Sequence, residues 1–93
     1  MSNMELIKSS AIKYWPKDST HIHILGGKRH ADILEFMFKH KIRYVKHSMK
    51  QGFFTTENRF VDRYEAAEIA YNAGQIDDPN IKELFSEDIW PEE

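Results

Sequence analysis

Polar and apolar positions alternate at period two through residues 21–25, HIHIL, which places Ile22 and Ile24 on one face of a strand. Residues 9–15, SSAIKYW, end in β-favouring side chains, and Pro16, Lys17, Asp18 and Ser19 supply turn chemistry between the two segments. An antiparallel hairpin is expected there. Gly26–Gly27 interrupts the strand, and from about Arg29 to Lys41 the spacing changes. Ile33, Phe36, Met37 and His40 now fall at i, i+3, i+4 and i+7, one face of a helix. Residues 42–47, IRYVKH, suit a strand with Ile42, Tyr44 and Lys46 on one side, and residues 51–56, QGFFTT, suit another.

The second helix carries its own punctuation. Asp62 is an N-cap, with Glu65 placed to complete a capping box. Ala66, Ile69, Ala70 and Ala73 form a narrow face of mostly small residues that can lie close to a sheet, and Gly74 is a C′ stop. Asp78–Pro79 is expected to open a short final helix with Pro79 at its first position and Ile81, Leu84, Phe85, Ile89 and Trp90 on its apolar side. The pattern predicts an α+β fold: a small antiparallel sheet of about four strands in β-β-α-β-β-α order, two helices on one face, and a short C-terminal helix.

Ninety-three residues, 41% of them hydrophobic, fill one core, so residues 1–93 are expected as a single domain with 76–93 as an acidic C-terminal helical extension. With no cysteine there is neither a disulfide framework nor a thiolate metal site. No apolar run is long enough to cross a bilayer, and nothing at the N-terminus reads as a signal peptide, which predicts a cytoplasmic protein without membrane partners. The net charge of −2 excludes the basic footprint of a dedicated nucleic-acid polymer binder. The charge is uneven, however: Lys28 to Lys50 is basic and Asp77 to Glu93 acidic. Such a local positive field suits a small anion.

Two stretches share one plan, strand then polar junction then helix start. In HILGGKRHAD the junction holds Lys28, Arg29 and His30; in FFTTENRFVDR it holds Thr55, Thr56, Asn58, Arg59 and Arg63. A helix N-terminus presents unpaired N–H groups and partial positive charge, and a neighbouring arginine or lysine makes a phosphate seat. Neither stretch is a Walker A loop or G-x-G-x-x-G, and Arg59 and Arg63 have Glu57, Asp62 and Glu65 in reach as ordinary surface partners. Of the adjacent Phe53 and Phe54, one ring must point inward and the other outward, where it can stack on a base. His21-x-His23 has a metal-ligand spacing, but with only His30 to join it no metal site is expected. No nucleophile–base pattern is present, and Asp32 suits the first turn of a helix, so catalysis is not expected.

The run GKRHADI followed by QGFFTTENRFVDRYEAAEIAYNAGQI resembles small phage proteins that counter bacterial nucleotide-signalling defences, most closely the first family of Thoeris anti-defence sponge proteins. The resemblance covers residues 26–76; the N-terminal hairpin and acidic tail depart from the longer members. It implies a sponge without catalysis or cofactor, holding a cyclic ADP-ribose isomer or a cyclic oligonucleotide as a homo-oligomer in the host cytosol. Carried onto this chain, the ligand-facing positions are Lys28, Arg29, His30, Phe54, Thr55, Asn58, Arg59 and Arg63. The competing expectation is a protein-interaction module that inhibits a host defence enzyme through its acidic C-terminal helix, with Phe85 and Trp90 as anchors.

Overall fold

The computed structural model describes residues 4–91; Glu92 and Glu93 of the acidic tail lie outside them. β1, Ile7–Tyr14, forms a hairpin with β2, His23–Gly27, in the register Tyr14 to His23, Ile12 to Leu25 and Ser10 to Gly27. On its other side β1 pairs antiparallel with β3, Lys50–Thr55, setting Ser10 opposite Phe53 and Ile12 opposite Gln51. β4, Phe60–Asp62, completes an antiparallel sheet of order β2-β1-β3-β4. Alternation then decides the faces. Ser10, Ile12, Tyr14, Phe53 and Val61 share one side of the sheet, and Phe54 and Phe60 take the other.

Both long helices cover the first side. α1, His30–Lys39, lays Ile33 and Met37 on Ile12 and Tyr14. α2, Arg63–Asn72, lays Ala66, Ala67 and Ala70 on Ile7, Phe53 and Val61, a contact that small side chains bring close. Asp62 caps α2 by accepting from the Glu65 N–H at 2.8 Å. The helix ends at Gly74, whose φ of 75° suits glycine, with Gln75 N–H bonded to Ala70 O at 2.8 Å and Gly74 N–H to Tyr71 O at 3.1 Å. Ile76 and Leu84 then return to the same core. The α+β architecture and element order agree with the sequence pattern.

Several local expectations do not hold. Residues 42–47 form no strand: Lys41 and His47 have positive φ, and the segment meets the chain just past the end of β1, where Tyr44 makes an isolated bridge to Pro16 and Val45 N–H reaches Trp15 O. The remaining strand is β4, in a stretch that read as polar loop. Gly26–Gly27 continues β2 instead of breaking it, and Ile22 and Ile24 lie exposed while Leu25 packs inward. Only half of the capping box at α2 forms, because the Glu65 carboxylate turns to Arg59 at 3.0 Å. Phe36 and His40 stay exposed and stack on each other, 4.3 Å between centroids. Asp78–Pro79 makes a turn, with Asp78 Oδ1 accepting from Asn80 N–H, and the last helix is α3, Ser86–Ile89.

Candidate functional site

The start of α1 is shaped by the end of β2. A Cβ on Gly27 would stand 2.8 Å from Ile33 Cγ1, so glycine allows the first turn of the helix to fold tightly over the strand. Ser10 Oγ donates to Lys28 O at 3.1 Å and pins the bend. Arg29 occupies the N-cap with extended backbone but offers no side-chain cap; its carbonyl accepts from Asp32 and Ile33. The N–H groups of His30 and Ala31 have no acceptor among the described residues. His30 itself turns inward and is 7% exposed. Its Nε2 lies 2.7 Å from Gly52 O, and because a carbonyl can only accept, Nε2 carries the proton. The ring stands edge-on to Phe53 at 5.0 Å, and burial pushes its pKa below the usual histidine range.

Arg63 arrives from the start of α2. Its Nη1 donates to Leu84 O at 2.7 Å and its Nη2 to Gln51 Oε1 at 2.6 Å, while the guanidinium carbon sits 4.4 Å from the Phe85 ring centroid. In return, Leu84 N–H donates to Arg63 O at 2.9 Å. The C-terminal segment is thereby strapped to α2 by one residue. No carboxylate of the described residues comes within ion-pair distance of this half-buried guanidinium. Burial pushes its pKa down, opposed by Glu83, Glu87 and Asp88 at longer range.

Between these parts lies a cleft of about 580 Å³, lined by the N-cap Arg29 with His30 and Ala31 of α1, by Arg63 of α2, and by Phe85, Ser86, Glu87 and Pro91 of the C-terminal segment. Two arginines and an open helix turn thus border one space, which gives an anion electrostatic attraction and directed donors together.

The sequence pattern of the family described as phage T4 y16D protein matches residues 6–90. The chain belongs to that phage protein family. The match takes in the whole sheet, both long helices and the segment that closes the cleft. No curated protein and no solved structure matches the chain. No helix of the described residues is long and apolar enough to cross a membrane.

Of the eight positions expected to face a ligand, this member of the family gathers Arg29, His30 and Arg63 at the cleft. The other five lie elsewhere. Lys28 is exposed beside the bend and does not line the cleft. Phe53 is the inward ring of its pair; Phe54 lies on the far side of the sheet, over Gly26. Thr55 is buried, and its Oγ1 accepts from Glu57 and Arg59 N–H groups to shape the β3–β4 turn. Asn58 holds the left-handed position of that turn at φ 60°, a conformation asparagine tolerates well. Arg59 is neutralised: it grips Glu5 through Nε and Nη2, both at 2.8 Å, and reaches Glu65 at 3.0 Å. The fork holds the Glu5 carboxyl down at about 2. At the start of α2 the Asp62 carboxylate accepts from the Glu65 N–H and sets a negative charge where the sequence suggests a second phosphate seat.

Phe85, Ser86, Glu87 and Pro91 were not expected at the site. Their place depends on the strap between Arg63 and Leu84, 21 residues apart, for which local sequence carries no signal. Phe85 holds Arg63 and Trp90 packs 6.4 Å from Phe53, so both proposed docking anchors have partners within the fold. His21 and His23 are exposed, and no group of three or more candidate metal ligands converges among the described residues.

Proposed function

We propose that this phage protein captures a phosphate-bearing nucleotide signal in the cleft between α1, α2 and the C-terminal segment, and holds it without cleaving it. The observation that carries this reading is Arg63, a half-buried guanidinium with no carboxylate of the described residues in ion-pair distance, bordering the same space as Arg29. A desolvated cation favours an anionic partner, and an arginine whose two bonds already fix its plane loses little entropy on binding one. The volume of about 580 Å³ falls within the range of small-molecule sites. His30, neutral and committed through Nε2 to Gly52 O, fits a wall of the site better than a proton shuttle. The resemblance to Thoeris anti-defence sponges supplies the ligand class, a cyclic ADP-ribose isomer or cyclic oligonucleotide.

Isothermal titration against a panel of those compounds is the test, with ligand recovered after heating and analysed for cleavage. Binding well below micromolar and intact ligand are expected. Arg29→Gln and Arg63→Gln should each weaken binding by about tenfold or more, equivalent to about 1.4 kcal/mol, while Arg59→Gln should change it by less than about twofold. No binding across the panel, or an Arg59→Gln loss as large as that of Arg63→Gln, would overturn the assignment.

A further inference from the structure

The cleft borders on a carboxylate as well as on two arginines, and it keeps them apart. Glu87 lines the same space as Arg29 and Arg63, yet it forms no ion pair within 4.0 Å with either; among the described residues its carboxylate meets only Ser86 Oγ, at 3.3 Å. A carboxylate placed solely to neutralise Arg63 would be expected to close on it, as Glu5 closes on Arg59 at 2.8 Å. An anion seat with an acidic group at its border repels a bare phosphate. It suits a ligand that brings negative charge to one part of the cleft and N–H donors to another.

The aromatic at the border narrows that ligand. Arg63 covers one face of the Phe85 ring at 4.4 Å, and the residue remains 43% exposed. A planar base can therefore stack on the uncovered face and extend an Arg63–Phe85–base column. Glu87 lines the same cleft as Phe85, which gives its carboxylate access to the edge of a base held there. Two carboxylate oxygens accept two parallel N–H donors. Guanine offers such a pair on its pairing edge, N1–H beside the N2 amine. Adenine and cytosine place an acceptor nitrogen beside their amine, which would face a carboxylate lone pair.

We propose that the cleft selects guanine, stacked on Phe85 and read by the Glu87 carboxylate, with the ligand's phosphate drawn to Arg29 and Arg63. This rests on the cleft being the nucleotide site. It adds the base and assigns specificity to Glu87, a residue not needed for holding phosphate.

The experiment is isothermal titration with two matched pairs, GDP against ADP and cyclic di-GMP against cyclic di-AMP, on the wild-type chain and on Glu87→Gln. Glu87 is exposed and, among the described residues, makes only the long Ser86 contact, so the variant should keep its urea midpoint. In at least one pair the guanine member should bind about tenfold tighter or more, since hydrogen bonds to a charged group contribute more than neutral ones. Glu87→Gln should erase that gap by weakening the guanine member, and the adenine member should bind no more weakly than to wild type, because the repulsion of its ring nitrogen and phosphate by the carboxylate is gone. Binding without a gap in either pair would overturn the guanine assignment and leave the nucleotide cleft standing. A Glu87→Gln loss shared equally by both members would place the carboxylate on the ribose and overturn it too. Failure of all four to bind would overturn the guanine assignment, while the cleft itself stands or falls on the wider panel of cyclic ADP-ribose isomers and cyclic oligonucleotides.

Discussion

Arg63→Met tests how the cleft is built, because it removes the donors and the charge while keeping an apolar stem. Two bonds disappear, to Leu84 O at 2.7 Å and to Gln51 Oε1 at 2.6 Å, along with the cation 4.4 Å above Phe85. Hydrogen bonds to a charged group contribute about 1.5–3 kcal/mol each, and a partly exposed cation–aromatic contact about 0.5–1 kcal/mol. Arg63 is only half-buried, and methionine restores some contact with the ring, so the loss falls around and below the low end of their sum, about 3.5 kcal/mol. A loss of about 2–4 kcal/mol is expected, against a total of about 5–14 kcal/mol for a chain of 93 residues. Urea unfolding followed by tryptophan fluorescence reads it directly, since Trp90 packs near Phe53. The midpoint should fall with an unchanged slope. Arg63→Lys should recover less than half of the loss, because one ammonium cannot span both acceptors in the plane of a guanidinium. A change of less than about 0.5 kcal/mol in Arg63→Met would mean that the strap contributes nothing net, and the cleft would lose its fixed wall.

Gly52→Ala drives a Cβ into the Val61 carbonyl oxygen, which is backbone, and to 2.6 Å from Phe60 Cζ; a loss of about 2–3 kcal/mol in urea unfolding is expected. Gly26→Ala, whose Cβ meets side-chain ring atoms of Phe54 at 3.0 Å and no backbone as close, should cost clearly less, and the reverse order would refute the β3–β4 register. Leu84→Ala should lower stability by about 2–5 kcal/mol, because Leu84 is fully buried; a near-neutral result would show the C-terminal segment to be dispensable. His30 is held neutral by burial, so the unfolded chain takes up a proton near pH 6.5 that the folded chain resists. Stability from this group is full above pH 6.5 and falls as the pH drops below it, and His30→Gln should flatten that limb of a urea-midpoint profile. The Glu5 contribution is lost lower, from about 4.5 down through about 2, and should vanish in Glu5→Gln.

The parts of the fold that could be read from sequence are those set by local chemistry. Asp62, the alanines and Gly74 mark α2 because capping, close packing and a left-handed stop each demand particular residues at fixed offsets. Ile33 and Met37 mark the buried side of α1 in the same way. Residues 42–47 misled because β propensity reports suitability for a pleated, half-buried surface, and this segment never gains a neighbour to pair with along its length. Of the site, the cluster at the start of α1 was visible, since glycines before basic residues give a recognisable pattern. The C-terminal wall was not, because Leu84 O binding Arg63 is a long-range contact between groups with many other possible partners.

Arg59 and Arg63 stand four residues apart on either side of Asp62 and look alike in sequence. Glu5 and Glu65 neutralise the first, whereas Leu84 O, Gln51 and Phe85 hold the second in a half-buried place without a carboxylate partner. A guanidinium in that position serves either as a strap alone or as strap and anion seat together, and linkage separates the two. A ligand at 100 times its Kd raises the folded state's stability by about 2.7 kcal/mol, a gain that depends on affinity and not on the starting stability. If Arg63 only straps Leu84, the Arg63→Met protein starts less stable but gains as much as wild type from the same free ligand. If it also seats the phosphate, a tenfold weaker Kd cuts the gain by about 1.4 kcal/mol, leaving about half. Equal ligand-induced gains in wild type and Arg63→Met would confine Arg63 to a structural role and leave Arg29 as the remaining cationic side chain bordering the cleft.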